Sequence, residues 1–106
     1  HHIVGADILR RLGADGHVVN IARGSVIDQS ALIAALTDNA IAGAGLDVFA
    51  REPHAPDALT ALPNVVLAPH LGGHTLQGHA GMQDCVMANL DAFFAGKPLP
   101  YAVSVG

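Results

Sequence analysis

Three short apolar runs, spaced by stretches of helix length, constrain this chain more than any other feature. Residues 17–22 read HVVNIA, residues 41–48 read IAGAGLDV and residues 64–68 read NVVLA. None alternates apolar with polar side chains, so each reads as a strand buried on both faces. Residues 4–12 precede the first run and place Val4, Ile8, Leu9 and Leu12 at helical spacing, with Gly13 as the stop. Between the first and second runs Asp28 is a good N-cap for a helix carrying Ala31, Leu32, Ala35 and Leu36 and ending near Asn39. Residues 49–62 contain Pro53 and Pro56 and read as loop, with a short helical turn at 57–62. Residues 76–95 form a long helix of about 30 Å, with Met82, Val86, Asn89, Leu90 and Phe93 on one face and Gly96 beyond its end. The tail, 97–106, holds Pro98 and Pro100 and reads as extended. Alternation of this kind predicts an α/β fold with a mainly parallel sheet covered by helices. Gly43 and Gly45 inside a strand predict close backbone packing.

Composition narrows the class. Hydrophobic residues make up 51% of the 106 residues and charged residues 13%, which excludes a disordered tail. The apolar runs are far shorter than the roughly 20 residues of a membrane-spanning helix. Lys and Arg total five against a net charge of −4, so no basic stripe exists for nucleic acid. The single cysteine, Cys85, excludes an intrachain disulfide and reads as a small buried hydrophobe. With no signal-peptide pattern, the expected compartment is the cytoplasm. The excess of apolar over charged residues has two readings: an Ala- and Gly-rich composition, or surfaces covered by further protein. Three strands with two bare edges favour the second, so the chain reads as part of a larger domain.

Parallel sheets bind ligands beyond the carboxyl ends of their strands. Arg23 follows the first run, Asp47 and Glu52 end and follow the second, and His70 follows the third. Arginine grips a carboxylate with a planar fork. Histidine transfers protons near neutral pH. A neighbouring carboxylate fixes the histidine tautomer and favours its protonated form. Together they suit a 2-oxo acid, bound by its carboxylate and protonated on its carbonyl oxygen. The hydride must come from a nicotinamide cofactor, because no side chain donates one.

The segments NIARGSVID (20–28), AGAGLDVFAREP (42–53) and NVVLAPHLGGHT (64–75) resemble the signatures of the D-isomer-specific 2-hydroxyacid dehydrogenases. The resemblance runs from about Ile3 to Pro100, with three long motifs in order. Within the family the texture is most similar to the glyoxylate/hydroxypyruvate reductases, down to the GKPL at 96–99. The resemblance implies that Arg23 binds the substrate carboxylate, Glu52 pairs with the catalytic histidine, and His70 is the acid/base that also touches substrate and cofactor. It further implies that Asp47 meets the nicotinamide carboxamide and that Ile21, Gly72 and Gly73, with Arg23, line the cofactor. Glu52 argues against the formate dehydrogenase branch, which carries Gln there. The implied cofactor is NAD or NADP, the implied substrate a small 2-oxo or 2-hydroxy acid, and the implied assembly a homodimer.

Two features of the family have no counterpart in these 106 residues: the G-x-G-x-x-G phosphate-binding turn and the N-terminal substrate domain. Gly43-Ala44-Gly45 is no substitute, since it runs into a strand rather than a helix N-terminus. The chain therefore reads as residues 1–106 of the C-terminal portion of an NAD(P)-binding domain, the second half of a Rossmann-like sheet. A smaller departure is Leu76 after Thr75, where an acidic residue is common in the family. Two other readings stand beside the enzyme: an NAD(H)-sensing binding module of the same fold, separable by a turnover assay, and a fragment inert by itself. His70, His74 and His79 do not read as a metal site, because Gly72 and Gly73 interrupt any shared helix face. The Met82–Val86–Leu90–Phe93 stripe reads as core or interface, and the origin of His1 and His2 stays open.

Overall fold

The computed structural model describes residues 1–104. It divides into two compact units, His1–Gly72 and Gly73–Gly106. The first contains, in order, α1 (Ala6–Leu12), β1 (His17–Asn20), a 3₁₀ turn (Gly24–Val26), α2 (Gln29–Thr37), β2 (Gly43–Leu46), α3 (Asp57–Thr60) and β3 (Val65–Leu67). The strands form one sheet in the order β1-β2-β3, parallel throughout. The predicted α/β architecture is therefore present, with every helix and strand in its expected place.

The strands are shorter than the apolar runs that announce them, and the reason is local. Asn20 turns its side chain onto the backbone of the following loop, so Ile21 and Ala22 leave the ladder. Pairing still persists one residue past the second and third strands: Asp47 N–H donates to the Asn20 carbonyl at 2.9 Å and Ala68 N–H to that of Leu46 at 2.8 Å. At the front, Val4 is not helical. It forms a parallel bridge with Ile27, its N–H donating to Val26 and its carbonyl accepting from Asp28. The helix starts after Gly5 instead. Asp28 caps α2 as its position predicts, accepting from the Ser30 and Ala31 N–H groups.

Leu9 of α1, Leu32 and Leu36 of α2, Ala44 and Leu46 of β2 and Leu59 of α3 meet in one buried cluster. Register explains which sheet face they cover. Val18, Ala44 and Val65 are partners across the sheet and face the cluster. Val19, Gly45 and Val66 form the next row, on the opposite face. There Val19 is 71% and Val66 74% exposed. Burial on both faces, expected from the unalternating runs, is thus found on one face only among the described residues. Gly43 is a packing glycine: a Cβ there would lie 2.7 Å from the Asn64 carbonyl oxygen.

The second unit is dominated by α4 (Leu76–Phe94), capped by the Thr75 hydroxyl, which accepts from Gly78 N–H at 2.9 Å. The following segment turns at Pro100–Tyr101 and is pinned to the helix by Asn89, which exchanges two hydrogen bonds with the Tyr101 backbone. The extended tail expected over 97–106 is thus bent where described; residues 105 and 106 lie outside the described residues. No residue of α4 is buried, so the Met82–Val86–Leu90–Phe93 stripe is not core, and Cys85 is only half-buried. No helix among the described residues is long and apolar enough to cross a membrane.

Leu32 lies at the centre of the first unit's core with almost no exposed surface. Leu32→Ala is expected to destabilise the protein by about 2–5 kcal/mol through a lost transfer term and a residual cavity. The shift in urea unfolding midpoint measures it.

Candidate functional site

The segments after the three strands bring Arg23, Asp47 with Glu52, and His70 to the carboxyl edge of the sheet. Beyond β2, Asp47 is 6% exposed, and its two carboxylate oxygens are both engaged. Oδ1 accepts from Leu71 N–H at 2.7 Å and Oδ2 from Gly72 N–H at 2.8 Å. These bonds to the charged form hold the Asp47 carboxyl below its ordinary pKa, Leu71 contributing most and Gly72 next. They also close the turn after Pro69, in which His70 takes a left-handed backbone conformation with φ of 57°. Such a conformation is uncommon for a residue with a Cβ and needs local support.

So placed, His70 turns its ring toward the β2–α3 loop. Its Nδ1 lies 2.7 Å from Glu52 Oε2, and the two side chains remain 44% and 34% exposed. The other Glu52 oxygen, Oε1, accepts from Phe49 N–H at 3.2 Å. Glu52 therefore bridges a rigid backbone donor and the imidazole, and leaves the histidine Nε2 free. The His70 contact is the largest cause of a lowered Glu52 pKa, followed by the Phe49 N–H, with the positive charge of Arg23 a smaller contribution. Phe49, Glu52, Pro53, Pro69 and His70 enclose a small, mainly apolar cavity of about 80 Å³.

Arg23 projects from the β1 loop, with Nη1 donating to the Ala22 carbonyl at 2.6 Å. Ile21 is exposed beside it and sits against Gly72, where a built Cβ would come 3.8 Å from the isoleucine Cβ. Of the residues singled out in the sequence, Ile21, Arg23, Asp47, Glu52, His70 and Gly72 all belong to the first unit, whereas Gly73 opens the second. Sequence reasoning overlooked Asn20, Gly24 and the Phe49 N–H. A polar Asn interrupting HVVNIA three residues before an arginine was the available signal, since Asn folds onto its own following backbone. Among the described residues no group of three or more His, Cys, Asp or Glu is arranged to hold a metal ion.

A parallel sheet with an arginine and a carboxylate–histidine pair beyond its carboxyl edge is the arrangement in which α/β domains bind ligands. The chain belongs to the D-isomer specific 2-hydroxyacid dehydrogenase family, whose NAD binding domain matches residues 1–72. It is 48% identical over 98 residues to a glyoxylate/hydroxypyruvate reductase of Arabidopsis thaliana, covering 92% of this chain and 31% of that protein. It is 46% identical over the same length to a hydroxyphenylpyruvate reductase of Plectranthus scutellarioides, with the same coverage of each chain. Among solved structures, the NADPH-dependent glyoxylate/hydroxypyruvate reductase of Sinorhizobium meliloti in complex with NADP and malonate matches with a TM-score of 0.89 and 44% identity, over 95% of this chain and 32% of that one. The chain thus spans about a third of the length of these relatives.

The Glu52 contact has a definite pH sign. A carboxyl whose pKa is lower folded than unfolded contributes stability above the unfolded value, about 4.3, and loses it as pH falls through the folded value. Carbon-13 NMR is expected to place the Glu52 carboxyl midpoint below that ordinary value, and His70→Ala is expected to move it upward. A midpoint at the ordinary value, unmoved by the substitution, contradicts the pairing.

Proposed function

We propose that this chain is the C-terminal portion of the NAD(P)-binding domain of a D-2-hydroxyacid dehydrogenase acting on a small 2-oxo acid such as glyoxylate or hydroxypyruvate. The observation that carries this reading is the 2.7 Å Glu52–His70 pair at the carboxyl edge of a parallel sheet, close enough to Arg23 to feel its charge. The names of the relatives support the substrate class. Two are reductases of glyoxylate and hydroxypyruvate and one of hydroxyphenylpyruvate, all 2-oxo acids.

In this reading Arg23 grips the substrate carboxylate, and the 2-oxo oxygen faces the free Nε2 of His70. NAD or NADP, when bound, would supply the hydride equivalent that the 2-oxo carbon takes up. The electron pair of the carbonyl π bond moves onto oxygen, which takes the proton from His70 Nε2 and becomes the 2-hydroxyl. Glu52, ionised and bonded to Nδ1, stabilises the charged imidazolium before transfer and fixes the neutral tautomer after it. In the oxidative direction the neutral Nε2 accepts the hydroxyl proton. The exposed Ile21 beside Gly72 offers an apolar ledge that fits one face of a nicotinamide ring. Gly73 would continue that lining, and Asp47 has lone pairs left for a carboxamide N–H. The remaining portion of the enzyme would supply the phosphate-binding turn and the substrate domain. It would also cover the Val19–Gly45–Val66 face, which accounts for the excess of apolar residues. A cytoplasmic homodimer is the assembly we expect. By itself the 106-residue chain would bind dinucleotide weakly, because it carries no glycine-rich phosphate turn.

In the full-length protein, His70→Ala is expected to lower kcat/KM for glyoxylate or hydroxypyruvate reduction by about 10²–10⁴-fold. Steady-state assays with NADH and with NADPH measure it. Activity remaining within about threefold of the unsubstituted enzyme would remove His70 from the acid/base role.

A further inference from the structure

We propose that Asn20 is the positioning residue for Arg23, fixing the turn that presents the guanidinium. The inference rests on the reading of Arg23 as the carboxylate-binding group. Asn20 is the last residue of β1 and is only 4% exposed, yet it carries a polar side chain. Both ends of that amide are used within three residues. Nδ2 donates to the Arg23 carbonyl at 3.0 Å, and Oδ1 accepts from Ala22 N–H at 3.1 Å. The side chain thus stands in for a backbone rung across the loop and clamps Arg23 from both sides of its preceding peptide. The Asn20 backbone carbonyl, meanwhile, holds Asp47 N–H at 2.9 Å.

The turn is also seated against the carboxylate side of the site. Gly24 lies directly on the backbone of Phe49: a Cβ built there would stand 2.0 Å from the Phe49 carbonyl oxygen and 2.6 Å from the Ala50 nitrogen. Gln29 Oε1 accepts from Ala50 N–H at 3.1 Å, holding that backbone in place. Phe49 N–H is the donor that anchors Glu52. One side of the Phe49–Ala50 backbone therefore carries the Arg23 turn while its amides hold Glu52 and Gln29. Asn20 sets where the arginine leaves this junction. An alanine would free the loop; an aspartate would keep the acceptor for Ala22 N–H but set a carboxylate oxygen against the Arg23 carbonyl.

The test is kinetic and compares two backgrounds in the full-length protein. Asn20→Ala and Asn20→Asp are each expected to raise KM for the 2-oxo acid by about tenfold or more. In an Arg23→Ala background the same substitutions are expected to change KM by less than about twofold. An unchanged KM for both variants overturns the proposal. So does an equal rise in the two backgrounds. Should Arg23→Ala itself leave KM unaltered, it is the carboxylate-binding reading that fails. Positioning is then decided separately, by amide exchange at Ala22 and the Arg23 Nε–H resonance. Both are expected to change in Asn20→Ala, and constancy of both overturns it.

Discussion

The Asp47 carboxylate holds the turn that brings His70 to Glu52. His70 sits in a left-handed backbone conformation, which costs a residue with a Cβ about 1–2 kcal/mol relative to the right-handed one. Two consecutive amides, Leu71 and Gly72, follow Pro69 and His70 and point at the same carboxylate. Asp47 accepts both at 2.7 and 2.8 Å from the end of the neighbouring strand. A neutral amide of similar size offers only one acceptor oxygen, so a carboxylate serves the two amides better. The same bonds that lower the Asp47 pKa thereby hold the histidine where Glu52 can reach it.

From that turn the other contacts follow in sequence. Glu52 joins His70 to the Phe49 amide, and Phe49 is itself buried in the core. Gly24 meets the same stretch of backbone from the β1 side, and Asn20 closes the loop between. Acid, carboxylate and cation therefore share a support fastened to the hydrophobic cluster of α1, α2 and β2. The His70 and Glu52 side chains remain 44% and 34% exposed, and Arg23 is exposed as well. Backbone bonds thus set the direction of both side chains, and Glu52 takes the Nδ1 side of the ring.

Much of this was readable in the sequence because it is carried by periodicity and position. Unalternating apolar runs located the three strands, Asp28 located the start of α2, and the residues after each strand located the cluster at the sheet edge. What escaped detection depends on long-range backbone geometry. The early end of β1 follows from a side chain that competes with the ladder, and pattern does not reveal which of two hydrogen-bonding modes an Asn adopts. Val4 fitted a helical stripe but bridges to Ile27, because its amide and carbonyl find partners 22 and 24 residues away. The close seating of Gly24 on Phe49 joins residues 25 apart, which no local spacing encodes. Likewise the unalternating apolar strands announced burial on both faces, whereas only one face is covered among the described residues, because nothing in a short apolar run says which residues will cover it.

On the proposed reading Glu52 acts through His70 rather than beside it. The most direct measurement is a double-mutant cycle on kcat/KM for 2-oxo acid reduction in the full-length protein, using Glu52→Gln, His70→Ala and the double variant. Glu52→Gln is expected to lower kcat/KM by about tenfold or more when His70 is present and by less than about twofold when it is already alanine. An equal loss in both backgrounds would contradict the reading, because the 2.7 Å pair would then have no part in the reaction.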